Sequence, residues 1–508
     1  MTLPPLLSTY NGRAVLLEAI PALPLEQFAA VLAAAPARLA RVSALFGTPH
    51  ESGGVALVAV LAADDAGHLE LCRSQPITES YRSLTPACPQ VHLFERELAE
   101  TWGLTPVGHP WLKPVRFAPP LRAGTGDPFG RRGAPAAVGM LDFYRVEGAE
   151  VHEVAVGPVH AGVIEPGHFR FQCHGEEVLH LEVSLGYQHR GVERALRGGP
   201  DKRSLHYAET LCGDTSVGHA TAYCQVVEAL SGCPVSARAQ AVRAIALELE
   251  RLANHTGDLG ALAGDVAFLP TASFCGRLRG DFLNLTAELC GNRFGRGLLR
   301  PGGVSGELDA GLLASLSKRL DAALLDTLGA AQLLWDAASV QSRFEDTGRV
   351  GAEDARALGL VGVAARASGL SRDVRRDQPS GIYRFKQVPV AVLNSGDVYA
   401  RARLRELEIR RSVAFVKELL AALPAGRARA VPGPLAPGKL AVALVEGWRG
   451  ELCHVGLTGA DGRFATYKVI DPSFHNWSAV GLAMRGQQIS DFPVTNKSFN
   501  LSYCGFDL

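Results

Sequence analysis

The segment TLCGDTSVGHATAYC, residues 210–224, contains three side chains that could bind a metal ion or move a proton. On a helix that begins near Cys212, residues Cys212, Thr215 and His219 lie on one face, because they are three and four positions apart. A thiolate metal site usually has a second cysteine at the position of Thr215. Spacing alone favours a purely structural role for all three residues, because free cysteines are mostly buried. In that interpretation the cysteine is packed in the core, the threonine caps the helix and the histidine is hydrogen-bonded to buried partners.

Two other segments contain candidate residues. The segment GPVHAGVIEPGHFRF, residues 157–171, places Glu165 in a loop rich in glycine and proline, a setting that often holds functional side chains. A loop carboxylate is nevertheless more often a surface residue than a proton carrier. The segment DFPVTNKSFNLSYCGFDL, residues 491–508, contains Cys504 and has no helical period. It is therefore predicted to be a buried tail that packs on the rest of the protein.

The patterns around these segments predict an α+β protein in three parts. Residues 1–116 combine a helical pattern with two β-like runs, GVALVAVLA and HLELCRS, which read as a hairpin and indicate a small α+β domain. Residues 117–139 are dense in Gly, Pro, Ala and Arg and have no periodicity, which is typical of a linker. Residues 140–508 begin with short β-like segments and continue with long amphipathic stretches, so they predict a large, mainly helical domain with peripheral β-sheets.

Composition limits the classes of function. Lysine plus arginine and aspartate plus glutamate each number 51, so no global positive charge attracts nucleic acid. The ten cysteines include no CxxC pair, which favours reduced thiols in the cytosol. No window approaches the roughly 18 apolar residues that a spanning helix needs. The sequence therefore predicts a protein that does not cross the membrane itself.

Several blocks, in this order along the chain, resemble the large subunit of membrane-bound nickel-iron hydrogenases and its relative, the D subunit of NADH-quinone oxidoreductase. They include GPVHAGVIEPGHFRF, ELERLANHTGDLGALAGDVAF, ARASGLSRDVRRDQPSGIYRF and DPSFHNWSAVGLAMRGQQISDFPVTNKSF. The resemblance covers residues 151–508. Residues 1–116 resemble the C subunit of the same oxidoreductase through YRSLTPACPQVHLFERELAETWGLTPVGHPWLKPVRF, so the chain is similar to the fused form found in formate hydrogenlyase.

The resemblance implies that a metal site has been lost. In the hydrogenases, two CxxC pairs hold nickel and iron. The resemblance places the first pair at Cys212 and Thr215 and the second at Asn500 and Tyr503, with Cys504 one residue out of register. A hydroxyl, an amide and a phenol are hard or weak ligands where thiolates are required. We therefore expect no metal and no cofactor in this chain, and an active nickel-iron hydrogenase is the disfavoured alternative.

The resemblance also assigns roles to two residues that lie near the former metal site. Glu165 corresponds to a glutamate that relays protons in hydrogenases, and His219 follows the first pair at the familiar distance. The D subunit of the respiratory enzyme binds a quinone between a histidine and a tyrosine. No motif places that tyrosine here, so quinone binding stays open.

The implied function is that of the large subunit in the peripheral arm of a hydrogenase-related complex, coupling electron or proton transfer to ion translocation. The expected partners are a small subunit with an iron-sulfur cluster and the membrane-arm subunits, at the cytoplasmic side of the cell membrane. A quinone-reducing NADH dehydrogenase subunit and a non-catalytic scaffold are the alternatives. The sequence leaves open whether the chain takes part in catalysis itself.

Overall fold

The computed structural model describes residues 3–122, 128–129, 137–162, 164–306 and 309–508. These residues form an N-terminal α+β region, a small antiparallel sheet, a helical body and a C-terminal sheet with short helices, which confirms the predicted α+β class. The predicted linker, residues 117–139, lies partly outside the described residues. The limits 1–116, 117–139 and 140–508 therefore stay predictions.

The N-terminal region contains the following strands and α-helices: β1 Leu7–Thr9, β2 Ala14–Leu16, β3 Ala22–Leu23, α1 Leu25–Ala34, β4 Ala40–Pro49, β5 Val55–Ala63, β6 His68–Ser74, β7 Ser80–Arg82, α2 His92–Trp102 and β8 Thr105–Val107. Five of the strands form a sheet on which α1 and α2 pack. The main path of this sheet runs β1, β6, β5, β4, and β3 pairs in parallel with β6. The predicted hairpin is confirmed, because β5 and β6 are antiparallel neighbours in which Ala63 pairs with His68.

This region shares its hydrophobic core with the rest of the protein. All nine residues of β5 are buried, and a strand buried on both faces needs cover from both sides. Phe28 and Val60 belong to the same hydrophobic cluster as Leu440 and Trp477. Strand β2 lies outside the N-terminal sheet and pairs with the strand Lys439–Glu446. The N-terminal region therefore packs directly on the larger one.

A small sheet and a helical body follow. Their elements are β9 Val151–Val156, β10 His168–His174, β11 Glu177–Ser184, α3 Val192–Leu196, α4 Ser204–Glu209, α5 Ser216–Ser231, α6 Ala237–Asp265, α7 Leu269–Cys290, β12 Leu299–Arg300, β13 Gly303–Val304, α8 Ala310–Asp336, α9 Ala338–Phe344, α10 Ala352–Ala357, α11 Gly362–Ala367, α12 Val374–Asp377 and α13 Val398–Ala421. The first three strands form an antiparallel sheet in the order β11, β10, β9, which leads into the helical body. The long helices α6, α7, α8 and α13 pack against one another, and α6 buries most of its residues.

The charges that α6 buries are paired with one another and with neighbouring elements. Glu248 accepts hydrogen bonds from Arg251 at 3.0 Å and from Arg375 at 3.2 Å, and the hydroxyl of Ser412 donates to it at 2.6 Å. Such pairing offsets the cost of removing charges from water. It also explains why a helix with many charged residues lies at the centre of the body.

The C-terminal part is a sheet followed by three helices: β14 Lys439–Glu446, β15 Glu451–Thr458, β16 Phe464–Ile470, α14 Pro472–Ala483, α15 Phe492–Phe499 and α16 Tyr503–Asp507. The hairpin predicted at GADG is confirmed between β15 and β16. The tail after residue 490 is more helical than its pattern predicted. Its short helix α16 begins at a cap from Ser502, whose hydroxyl accepts from the N–H of Gly505, and it is buried by surrounding elements. In the part of the chain that the structure describes, we find no helix that is long and apolar enough to cross a membrane.

Candidate functional site

Cys212 lies in a turn that leads directly into helix α5. The N–H of Thr215 donates to the carbonyl of Cys212, and the N–H of His219 donates to the carbonyl of Thr215, both at 3.1 Å. The hydroxyl of Thr215 lies 3.5 Å from Sγ of Cys212, and both side chains are buried. Local hydrogen bonding thus brings the first two candidate residues into contact at the start of the helix.

Arg449, in the turn between β14 and β15, holds this turn in place. Its two terminal nitrogens donate to the two carboxylate oxygens of Asp214 at 2.6 and 2.9 Å, a bidentate pair. The same guanidinium lies 3.4 Å from Sγ of Cys212 and from Oγ1 of Thr215, and it stacks on the ring of Trp448 at 3.9 Å. Burial opposes the charge on Asp214, but Arg449 outweighs it and lowers the pKa of Asp214 to about 2.

Helix α5 is capped by a residue of another helix. Thr215 occupies the capping position but makes no side-chain bond to the helix backbone. The carboxyl group of Glu250, on α6, accepts instead from the N–H of Val217 at 2.7 Å and of Gly218 at 3.1 Å. Burial raises the pKa of Glu250 to about 8 despite these two bonds, so this carboxyl group keeps its proton at neutral pH.

The C-terminal tail completes a cluster around Cys212. Oγ of Ser502 lies 3.1 Å from Sγ of Cys212 and 3.5 Å from Sγ of Cys504. Ser502 is fully buried, whereas Cys504 is partly exposed. We call Cys212, Thr215, Ser502 and Cys504 the thiol cluster. Of the tail residues considered from the sequence, Cys504 is the one whose side chain reaches it.

The side chains of Asn500 and Tyr503 lie elsewhere. The amide of Asn500 donates to Oδ1 of Asp258 on α6. The ring of Tyr503 packs edge-on against Trp477, with 4.9 Å between ring centroids. These two positions support the tail, and their side chains make no described contact with Cys212.

Glu165 contacts the same tail from the other side. Its Oε2 accepts from the N–H of Tyr503 at 3.3 Å, and its carboxylate lies close enough to Cys504 to raise the pKa of that thiol. The side chain is half-buried. Among the described residues no direct bond joins Glu165 to His219, so the two predicted proton carriers are linked only through the tail.

His219 belongs to a buried chain of hydrogen bonds behind the thiol cluster. Its Nδ1 lies 3.0 Å from Nε2 of His454, whose Nδ1 lies 2.9 Å from the hydroxyl of Tyr467. Its Nε2 lies 3.2 Å from Oδ2 of Asp471, the residue that caps helix α14. Burial and the neighbouring His219 lower the pKa of His454 well below its usual value, so the ring of His454 is neutral.

Gly505 lets the C-terminal tail approach the hydrogen-bonded residues His219 and Asp471 closely. A Cβ atom added at Gly505 would lie 2.7 Å from Oδ2 of Asp471, too close for any side chain. The thiol cluster and the chain that contains His219 are therefore adjacent. Together they can hold protons and thiol groups at one buried place.

These residues do not fit a nickel-iron centre. Such a centre requires soft thiolates, and the thiol cluster offers two sulfurs together with the hydroxyls of Thr215 and Ser502. Over the described ranges, no three His, Cys, Asp or Glu side chains are arranged to hold a metal ion. We therefore derive no chemistry through nickel or iron.

Several residues of this site were not predicted from the sequence: Asp214, Glu250, Arg449, His454, Tyr467, Asp471 and Ser502. One local signal was available for Asp471, since an aspartate before Pro-Ser is a typical start of a helix. The others join the site only through contacts between distant parts of the chain.

Comparison with known proteins gives consistent matches. The family described as "Respiratory-chain NADH dehydrogenase, 49 Kd subunit" matches residues 265–433. The carbon monoxide-induced hydrogenase of Rhodospirillum rubrum is 31% identical over 353 residues, which cover 69% of this chain and 97% of that protein. Formate hydrogenlyase subunit 5 of Escherichia coli is 29% identical over 439 residues, covering 83% of this chain and 76% of that protein.

A subunit of NADH-quinone oxidoreductase matches to a similar degree. The D subunit of NADH-quinone oxidoreductase from Clostridium beijerinckii is 30% identical over 354 residues, covering 69% of this chain and 95% of that protein. These matches confirm the resemblance seen in the sequence. The chain belongs to the family that unites the 49 kDa subunit of respiratory NADH dehydrogenase with the large subunits of group 4 membrane-bound hydrogenases.

Proposed function

We propose that this chain is the large subunit in the peripheral arm of a membrane-bound oxidoreductase complex, where it couples electron or proton transfer to ion translocation without a nickel-iron centre. Its relatives are named as a carbon monoxide-induced hydrogenase and as subunits of formate hydrogenlyase and of NADH-quinone oxidoreductase. The proposed partners are a small iron-sulfur subunit and membrane-arm subunits at the cytoplasmic side of the membrane.

The observation that supports this proposal most strongly is the composition of the thiol cluster. Hydroxyl groups of Thr215 and Ser502 contact Cys212 in a region where a metal centre would need thiolates. The protonatable groups nearby are retained, with Glu165 on the tail and His219 in a buried chain of hydrogen bonds. A site with proton carriers and without metal ligands fits a role in coupling better than a role in hydrogen turnover.

The proposal is tested on the complex as the cell assembles it. The tagged chain is isolated from gently solubilised membranes, and the preparation is analysed for nickel, iron, acid-labile sulfide and hydrogen evolution from a reduced viologen. We expect iron and sulfide from the small subunit, nickel far below one atom per chain, and no hydrogen. A nickel-iron hydrogenase measured in parallel serves as the positive control.

Other results would identify the alternatives. About one nickel per chain together with hydrogen evolution would overturn the proposal. Reduction of a water-soluble quinone by the complex would favour the quinone-reducing subunit, and a complex that transfers no electrons to any acceptor would favour the scaffold.

A further inference from the structure

Two cysteines from distant parts of the sequence meet in the thiol cluster. Sγ of Cys212 and Sγ of Cys504 lie 3.1 and 3.5 Å from the same hydroxyl oxygen, that of Ser502. The two thiols are also close enough for each to shift the pKa of the other. Neither the proposed proton relay nor the coupling role uses them as a pair.

Their surroundings make the two thiols unequal. Cys212 is only 2% exposed, whereas Cys504 is partly exposed. The neighbouring Cys212 lowers the pKa of Cys504, whereas Cys504 and burial together raise the pKa of Cys212. Cys504 is therefore the thiol that ionises first and that a small molecule reaches first.

We propose that Cys212 and Cys504 are a redox-active pair, which a small disulfide such as oxidised glutathione converts to an intrachain disulfide bond. This inference goes beyond the proposed function, because it requires neither the partner subunits nor ion translocation. In this reaction the thiol cluster loses two electrons and two protons as the disulfide bond forms.

The exchange balances without any further reactant. The thiolate of Cys504 attacks one sulfur of the small disulfide, forms a mixed disulfide and expels one small thiolate. The thiol of Cys212 then loses its proton and attacks Sγ of Cys504, expelling the second small thiolate. Two cysteine thiols are oxidised, one small disulfide is reduced to two thiols, and those thiols take up the two protons.

The neighbouring groups suit these two steps. The guanidinium of Arg449 lies 3.4 Å from Sγ of Cys212 and stabilises negative charge on it during the second attack. Oδ1 of Asp214 lies 3.0 Å from the same sulfur, within reach of the proton on the thiol. Both sulfurs contact the same hydroxyl of Ser502, at 3.1 and 3.5 Å, so this hydroxyl is the group that must move aside for the two sulfurs to meet.

The test uses the full-length protein in buffers of increasing oxidised-to-reduced glutathione ratio. Free thiols are trapped by alkylation, and peptides are mapped by mass spectrometry. We expect a peptide that links residues 212 and 504, with a single midpoint in the glutathione ratio. The thermal unfolding midpoint of the oxidised protein should be higher, since the bond restricts the unfolded chain.

Three variants make the assignment specific. Cys212→Ser should stop at a mixed disulfide of Cys504 with glutathione, because the resolving thiol is missing. Cys504→Ser should leave Cys212 unmodified, since Cys212 is buried. Cys233→Ser removes another partly exposed cysteine and should leave the 212–504 link unchanged. Free thiols at both positions in the most oxidising buffer, or separate glutathione adducts on both, would overturn the proposal.

Discussion

Nε2 of His219 lies 3.2 Å from Oδ2 of Asp471, and both side chains are buried. An ionised aspartate only accepts hydrogen bonds, so the proton of His219 lies on Nε2. With a single proton on the ring of His219, its Nδ1 accepts from His454, and Nδ1 of His454 accepts from the hydroxyl of Tyr467. The donors in this chain of hydrogen bonds thus all point from Tyr467 toward Asp471, and the ring of His454 stays neutral.

Removing the hydroxyl of Tyr467, the first donor in this series of hydrogen bonds, should destabilise the protein. Tyr467→Phe leaves the buried Nδ1 of His454 without a partner, which costs about 1–3 kcal/mol. The measurement is the free energy of unfolding from denaturant titration at neutral pH. The control is Tyr399→Phe, at a half-buried tyrosine that takes no part in this series of hydrogen bonds. It should change the free energy of unfolding by less than about 0.5 kcal/mol. Equal effects of the two variants would contradict the assigned direction.

Glu250 should make the protein less stable as the pH rises from about 5 to about 8. Its pKa is about 8 in the folded protein and about 4.3 in an unfolded chain, so between these values the folded state binds more protons. The free energy of unfolding therefore falls with increasing pH. Glu250→Gln cannot titrate and should flatten this part of the stability curve. Parallel curves for the variant and the natural protein would show that Glu250 is ionised in the fold.

Glu165 is proposed as a proton relay, and a glutamine keeps its shape while removing the proton. Glu165→Gln should leave the assembly of the complex intact and abolish its proton-coupled activity, measured as ion uptake into vesicles that contain the complex. Glu150→Gln, at an exposed glutamate in the same region of sequence, is the matched control and should retain activity. Full activity of Glu165→Gln would leave Glu165 with a structural role, as the acceptor for the N–H of Tyr503.

Asn500 should tolerate glycine better than alanine. Its backbone has a φ of 44°, in the left-handed region that disfavours a Cβ atom. Both substitutions remove the hydrogen bond to Asp258, so their difference reports the backbone alone. Asn500→Ala should be less stable than Asn500→Gly by about 1 kcal/mol in chemical unfolding. The reverse order would show that the tail rearranges around this position.

Local patterns were sufficient for part of the secondary structure, for one contact at the site and for the family. The hairpin of β5 and β6 follows from two β-like runs around a turn, and its register keeps Ala63 opposite His68. The contact between Cys212 and Thr215 follows from a spacing of three residues at the start of a helix. In each case the interacting residues are close in sequence, so periodicity and turn chemistry determine their geometry.

Only the tertiary structure decided which tail residues meet Cys212. The sequence resemblance placed Asn500 and Tyr503 beside Cys212, whereas the side chains found there are those of Ser502 and Cys504. The physical reason is the left-handed backbone at Asn500 and the short helix that follows it, which turn successive side chains in different directions.

The sequence alone also does not predict the groups that hold the site together. Arg449 reaches Asp214 from the C-terminal sheet, and Glu250 caps α5 from a neighbouring helix. An arginine in a turn and a glutamate in a long helix look like surface residues in the sequence. Their burial and their pairing depend on how distant elements pack, and the periodicity of a single segment contains no information about that packing.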